Sequence, residues 1–592
     1  MKQSIKYWHC VFSLLPLLSS CVHIDFNAIE TDGVYRGSWQ NKEVIVRFEH
    51  VSEGDIQGKL YWVGEDMVAT PHYFVSEVNR RGNGKVLIDN KEAQIKRLQT
   101  DSGMLTLRLN ATKLRLHPIR QPEFKSFEAF APDRLVYDYA CIEDVTYGHA
   151  EGYWTSYPET DESFGDIYLK KMGKLMGQSE QELRMDIYYP KDPDSITGRP
   201  LLLLIHGGAF YNGDKQSVPI VEWSKHFASL GCVVASMNYR MGFRPLKADV
   251  ERAGYRAVQD AHAAMRYLVH NADLYHINKD FLFVGGTSAG AITALNLAFM
   301  RNENRPTSTM SVKDDAYGDE YQHDTGLGNT LHHLINEGKK LVAGGIEDMG
   351  WEQDLGMIET VAPELVDSFS IRGVVNMWGA LDDVAMLRNS PNTAILSFHG
   401  DADRIVPYGY DYPFRNVLDL QQQNAILQSV SWLSAFFDDF QATLNGEGRP
   451  LNEMVFPKMY GSHAIHQNAG LYGVKSELHT VAGGGHSLHV NDDLSLSDYF
   501  YTLRDTISDF LYRQVVSHPV QLKALPQDIH AFGLVNGEEV ETVYWKVEGG
   551  IVLDSEDHQI RVLFFDDVDE HIIRFSGKYK NGIGFNKLKT FD

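Results

Sequence analysis

Cysteine is scarce in this chain of 592 residues, occurring only at Cys10, Cys21, Cys141 and Cys232. So few cysteines cannot build a dense disulfide framework. No Cys/His cluster has zinc-ligand spacing, so no metal site is expected. Past the N-terminus, no stretch offers the ~20 continuous apolar residues that a membrane-spanning helix needs. Positive charge is also short: 55 Lys and Arg stand against 79 Asp and Glu, a formal net charge of -24. A field of that sign repels phosphate backbones, which argues against nucleic acid as a partner. Aromatics, by contrast, are plentiful, with 29 Tyr, 29 Phe and 9 Trp. Together with 43% hydrophobic residues they exclude a disordered chain and supply a sizeable core.

Residues 1–20 have the form of a secretory signal: Lys2 and Lys6, then the short apolar run "VFSLLPLLSS". The ending "LSSC", Leu18 to Cys21, resembles the lipobox of bacterial lipoproteins. That resemblance implies cleavage before Cys21 and lipid on its thiol, hence an exported protein anchored to a bacterial membrane. Periplasmic and cell-surface faces stay open. Cys232, in "GCVVASMNYR", reads as a small buried hydrophobe, and a Cys141–Cys232 bridge is left open.

Three regions follow. Residues 27–120 alternate polar and apolar in short runs ("GVYRGSW", "EVIVRFE", "LTLRLN") punctuated by Gly, Asn and Asp, which predicts a small antiparallel β domain of barrel or sandwich type. Residues 150–516 alternate strands with helices, the pattern of a mostly parallel sheet flanked by helices. Two polar stretches interrupt that rhythm, near 301–368 and 411–478, and are expected as insertions over the sheet, as lids or inert elaborations. Residues 525–592 return to β character, and "YWKVEGG" resembles an immunoglobulin-like, PKD-type module.

The chemistry concentrates in four places. In "FLFVGGTSAGAITALNLAF" (Phe281 to Phe299) a buried strand runs into Gly286-Thr287-Ser288-Ala289-Gly290 and then a helix. G-x-S-x-G between strand and helix is the context of a nucleophile elbow, with Gly286 and Gly290 admitting close backbone approach. Upstream, "LLLLIHGGAF" carries a strand into His206-Gly207-Gly208-Ala209. Here the chain resembles the α/β-hydrolase superfamily, on its carboxylesterase and hormone-sensitive-lipase-like side, over roughly residues 181–516. The resemblance implies an oxyanion hole from the backbone N–H groups of Gly208, Ala209 and Ala289. Ala209 stands where a third glycine is usual. His206 and Gly207 support the loop. Asp260 and Arg266, in the helix before the elbow strand, read as structural.

A serine nucleophile needs a base, and the base an orienting acid, in the order Ser, Asp, His. "FHGDADRIVPY" matches the family pattern with Asp403 as acid and Asp401 as alternative. "VAGGGHSLHV" offers His486 as base, with His489 as alternative. The expectation is therefore an α/β-hydrolase domain with small all-β domains at both ends. Its activity would be serine carboxylic-ester hydrolysis without a cofactor, on a small-molecule or polysaccharide-linked ester, acetyl or feruloyl esters included. A prolyl-oligopeptidase-type peptidase and an inactive binding or adhesion lipoprotein remain alternatives. If the lipobox resemblance holds, wild-type protein fractionates with membranes and mass spectrometry finds Cys21 as a lipidated N-terminus. A Cys21→Ser protein becomes soluble. A mature N-terminus at any other residue overturns the anchor.

Overall fold

The computed structural model describes residues 29, 33–64, 68–101, 104–125, 137–158, 160, 162–191, 198–244, 247–310, 354–417, 450–516 and 518–591. The signal region, Cys21 and much of both expected insertions lie outside them. The chain divides into two compact units: one gathers residues 1–127 with 518–592, and the other is 128–517.

The second unit is built on an eight-stranded sheet. Its strands are β1 (Tyr139–Gly152), β2 (Ser179–Pro190), β3 (Arg199–Ile205), β4 (Val233–Met237), β5 (Ile277–Thr287), β6 (Ile371–Met377), β7 (Ala394–Gly400) and β8 (Ser476–Val481). They lie in the order β1-β2-β4-β3-β5-β6-β7-β8. β2 runs antiparallel to both neighbours, and every pair from β4 to β8 is parallel. This is the α/β-hydrolase arrangement. β3, β4 and β7 are buried at every position. Strands covered on both faces must be apolar throughout, which is why "LLLLI" shows no alternation.

Helices α1 (Phe164–Lys171), α2 (Val218–Leu230), α3 (Lys247–His270), α4 (Ala289–Phe299), α5 (Ser462–Ala469) and α6 (Asp498–Val515) pack around this sheet or its edge loops. α2 ends at Gly231, whose φ of 116° places it in the left-handed region and lets its N–H reach back to Ala228 and Phe227. α3 starts at Lys247, before the stretch Ala257 to Ala272 that resembles the helix leading to the elbow strand in the sequence. Its first turns carry Asp249, Arg252 and Arg256, all fully buried. Apolar periodicity does not reveal buried charges, because their burial depends on partners outside the helix.

Asp249 pairs with Arg244, and Arg252 and Arg256 donate to the Ser308 and Gly242 carbonyls. Asp260 of α3 takes the Arg240 backbone N–H at 2.7 Å and its Nε–H at 2.8 Å, with both side chains buried. Arg266 donates to the carbonyls of Glu359, Val361, Ala362 and Leu365, so one guanidinium secures the segment that leads back into β6. Asp260 and Arg266 are thus structural.

The first unit holds a closed antiparallel barrel. Its first strand, Val34–Trp39, pairs with Lys42–Ser52 on one side and with Thr112–Pro118 on the other. Phe74, Ser76 and Val78 alternate inward along one strand, as a barrel wall requires. The C-terminal region supplies four strands of a five-stranded sheet and all of a three-stranded one. These were expected as modules at opposite ends of the chain, yet they share a core: Ile45 and Tyr61 cluster with Ile551, Leu563 and Phe565. Val68–Ala69 is the fifth strand of that sheet, pairing in parallel with Phe564 and Phe565. Both ring nitrogens of His530 face backbone carbonyl oxygens, Nδ1 that of Val562 and Nε2 that of Gly64, at 3.0 Å each, and Lys59 pairs with Asp567. Cys141 and Cys232 are both free thiols.

Asp260→Ala leaves the Arg240 guanidinium buried without its carboxylate. Urea unfolding is expected to show a loss of about 3–5 kcal/mol. A loss under ~1 kcal/mol would mean that the pair is dispensable.

Candidate active site

β5 ends in Thr287, and Ser288 takes φ 52° and ψ −120° before α4 begins. That is strained backbone for a residue with a side chain. The surroundings hold it there. The Ser288 N–H donates to the Met377 carbonyl at the end of β6, 2.9 Å away. A Cβ on Gly290 would come 2.1 Å from the Ile205 carbonyl oxygen, and one on Gly286 would come 2.5 Å from the Gly290 carbonyl carbon. Only glycine fits at either position, so the turn is tight and Ser288 projects from its apex.

His486 and Asp403 meet this serine from loops after β8 and β7. His486 Nε2 lies 3.0 Å from Ser288 Oγ, and its Nδ1 lies 2.7 Å from Asp403 Oδ2. The carboxylate leaves Nδ1 as the donor, so Nε2 faces the serine hydroxyl as an acceptor. Asp403 is enclosed, with no exposed side-chain surface. Its Oδ1 accepts the N–H groups of Ile405 at 2.8 Å and Val406 at 3.2 Å. Burial alone would raise its pKa. Hydrogen bonds from His399 and His486 outweigh it and hold the carboxyl well below the usual range, ionised.

The alternatives sit elsewhere. Asp401 is exposed and accepts the Gly483 N–H at 2.6 Å, bracing the glycine loop that leads to His486. His489 is buried between Trp223 and Trp378, ring centroids 5.6 and 4.9 Å away. Burial, aided by the nearby His486, pushes its pKa down to about 3, so it is neutral. Ser497, the N-cap of α6, donates its backbone N–H to the His489 carbonyl at 3.0 Å and its hydroxyl to that of Leu488 at 2.7 Å. The loop that carries His486 is thereby tied to a helix end.

The loop after β3 lies beside the elbow. Gly208 has φ 108°, and Ala209 and Phe210 also occupy the left-handed region at 54° and 58°. This curl returns the Tyr211 and Asn212 N–H groups to the Gly208 carbonyl, both at 2.9 Å. Among the described residues, no protein acceptor takes the N–H of Gly208 or Ala209. Ala289 opens α4, where first-turn N–H groups have no partner within the helix. His206 is buried under Tyr239, ring centroids 4.5 Å apart, and its Nδ1 donates to the Gly207 carbonyl at 2.7 Å. Burial lowers its pKa to about 4, which makes it a neutral brace for this loop. The Tyr239 hydroxyl adds a donor to the His206 carbonyl at 3.0 Å.

A cavity opens from Ser288 and Ala289 along Ala209, Phe210, Val258, Ile292, Val406 and Phe414, with Glu251 and Asp382 at its polar end. Sequence reasoning missed Trp378, whose ring meets His486 edge-on at 6.2 Å, and His399, the second imidazole beside Asp403. Trp378 had no signal. His399 stood inside "FHGDADRIVP" and could have been asked what its ring does.

The BD-FAE family profile matches residues 185–330, which include the loop after β3 and Ser288. The cAMP-regulated D2 protein of Dictyostelium discoideum is 26% identical over 232 residues, 37% of this chain and 41% of that protein. The para-nitrobenzyl esterase of Bacillus subtilis (strain 168) is 30% identical over 139 residues, 23% of this chain and 28% of that protein. The chain thus spans less than half the length of these curated relatives. Among solved structures, Thermogutta terrifontis esterase 2 phosphorylated by paraoxon is 14% identical with a TM-score of 0.30, covering 57% of this chain and 90% of that one. A truncated carbohydrate esterase from gut microbiota is 17% identical with a TM-score of 0.30, covering 67% and 99%.

His206 and His489 are held neutral in the fold with pKa values below the ~6.5 of an unfolded histidine. As pH falls through ~6.5 the unfolded chain takes up these protons and the native state does not. Stability is therefore level near neutrality and declines from about pH 6.5 to 4, by roughly 1.4 kcal/mol per pH unit for each histidine. Thermal unfolding at pH 7.5, 5.5 and 4.5 reads this directly. A midpoint unchanged between 7.5 and 4.5 contradicts it.

Proposed function

We propose that this protein is a serine carboxylic-ester hydrolase. The observation that carries the reading is the hydrogen-bonded series Ser288–His486–Asp403, with its serine at the apex of a strand–helix elbow. The BD-FAE match over residues 185–330 and the similarity to a para-nitrobenzyl esterase support it.

In this reading Ser288 Oγ attacks the ester carbonyl as His486 Nε2 removes its proton. The ionised Asp403 keeps the hydrogen on Nδ1 and stabilises the imidazolium. Negative charge on the former carbonyl oxygen is met by the N–H groups of Gly208, Ala209 and Ala289. These are fixed in advance by the curl of the loop and the start of α4, so no reorganisation is needed when the charge appears. His486 then protonates the departing alcohol. Water, activated by the same imidazole, frees the acid from Ser288. No step calls for a cofactor.

The apolar lining beside Ser288 suits an aliphatic or aromatic acyl group. Feruloyl and acetyl esters, free or on a polysaccharide, are the substrate classes we propose to test first. A lipid on Cys21 would hold the enzyme at a membrane and belongs to the same proposal.

Ser288→Ala is expected to lower ester turnover by about 10⁴-fold or more while the protein stays folded, and to abolish labelling by a fluorophosphonate probe. A variant with a tenth of wild-type activity removes Ser288 from the chemistry. Asp403→Asn costs on the order of 10⁴-fold, because the amide favours the wrong imidazole tautomer. Asp401→Asn costs far less, since Asp401 bonds only the glycine loop. Kinetics on a panel of aryl, acetyl-sugar and feruloyl esters, with peptides as controls, check both. The reverse order of the two aspartate variants contradicts the assignment.

A further inference from the structure

The acid of the site carries a second imidazole. His399, in β7, is fully buried. Its Nε2 lies 3.2 Å from the Val406 carbonyl oxygen and 3.2 Å from Asp403 Oδ2. Neither atom has a proton to give, so Nε2 bears the hydrogen. Nδ1 is then an acceptor, and the Ser462 hydroxyl at the start of α5 donates to it over 2.7 Å. Ser462 Oγ in turn accepts from Asn376 Nδ2 at 3.0 Å. The Gly379 N–H donates to Asn376 Oδ1 at 2.9 Å and fixes that amide's orientation. Every hydrogen along Asn376–Ser462–His399 thus points one way, toward Asp403.

Two imidazoles therefore share Oδ2 of one carboxylate. The His486 Nδ1–H reaches it at 2.7 Å, and the His399 Nε2–H stands 3.2 Å from it. We infer that His399 is a positioning residue for the hydrolysis proposed above, acting through Asp403. Its N–H pins the carboxylate and the Val406 carbonyl of the same loop, and it offsets part of the negative charge that His486 feels. The inference rests on the Ser288–His486–Asp403 reading and assigns His399 no contact with substrate.

The sign of the effect follows from the shared oxygen. Without the His399 N–H, Asp403 presents more of its charge to His486, and the imidazolium is favoured. The base then stays protonated to higher pH. Other groups face this arrangement as well. The Tyr408 ring stands edge-on to His399 at 5.6 Å, and neutral His489 lies beside His486. Asp401 braces the histidine loop through Gly483. None of them changes in the variants below.

The experiment measures kcat/KM against pH with an aryl ester for wild type, His399→Leu, His399→Asn and His399→Gln. Leu donates nothing. Asn reaches toward Ser462 from the Nδ1 side but places no donor at Nε2. Gln places its amide N–H close to where Nε2 stands. Leu and Asn are expected to lose about 10-fold in kcat/KM at pH 8, the value of one charge-assisted hydrogen bond. Both should move the midpoint of the acid limb up by about 0.5 unit. Gln should recover the wild-type midpoint. Identical midpoints in all four proteins, or Gln behaving like Asn, overturns the role. If Leu fails to fold, the Asn and Gln pair decides the matter alone. Wild-type protein that neither turns over an ester nor labels at Ser288 removes the reading of the site, and this role with it.

Discussion

The site rests on one steric constraint, the close passage of the β5–α4 turn against the end of β3. The Ile205 carbonyl occupies the space where a side chain on residue 290 would begin, and the Gly290 backbone does the same for residue 286. That contact forces Ser288 into a strained conformation and aims its hydroxyl outward. It also brings the loop that starts at His206 beside the serine, where a Cβ on Gly207 would come 3.3 Å from Ser288 Cβ. Ser288 and the loop that holds Gly208 and Ala209 are neighbours because two strand ends cannot pack this closely in any other way. Strain at Ser288 is held by the N–H bond to Met377 and by the buried sheet beneath, which has little room to relax.

Electrostatics then sorts the histidines. Burial without a carboxylate keeps His206 and His489 neutral, so they serve as braces, through the Gly207 carbonyl and between two indoles. Among the described histidines, His486 alone combines partial exposure, a buried carboxylate and the serine hydroxyl. Asp403 stays ionised in an enclosed site because backbone and imidazole N–H groups surround it. A buried carboxylate lacking those donors would take up a proton and lose its hold on the imidazole tautomer.

The insertions contribute to this order where they are described. Ser462 lies in the second insertion, yet it closes the series that ends on Asp403. The first insertion returns to the sheet by lending four carbonyls to Arg266. Polar stretches that interrupt a strand–helix rhythm can thus carry the atoms that fix a site. Composition gives no hint of this, because a serine in a polar loop looks the same whether it bonds a buried histidine or water.

Much was legible in the sequence because it depended on local pattern. All-apolar runs such as "LLLLI" predict strands covered on both faces. Glycines around Ser288 predict a turn where side chains cannot fit; the resemblance to the family pattern in "FHGDADRIVPY" pointed to Asp403, and chain order with the glycines before it pointed to His486. Long-range pairing was not legible. Nothing in "FHGDADRIVP" says that His399 turns inward to the acid, or that its partner lies some sixty positions later in Ser462. The burial of Arg252 and Arg256 was not legible either, because it depends on partners that the periodicity of one helix does not contain. The terminal β regions looked separate because a strand's own alternation tells which face is apolar, not which distant edge will cover it. Local sterics and hydrophobic periodicity are properties of neighbours in the chain. Which buried polar atom meets which partner was decided only when the sheet brought remote loops together.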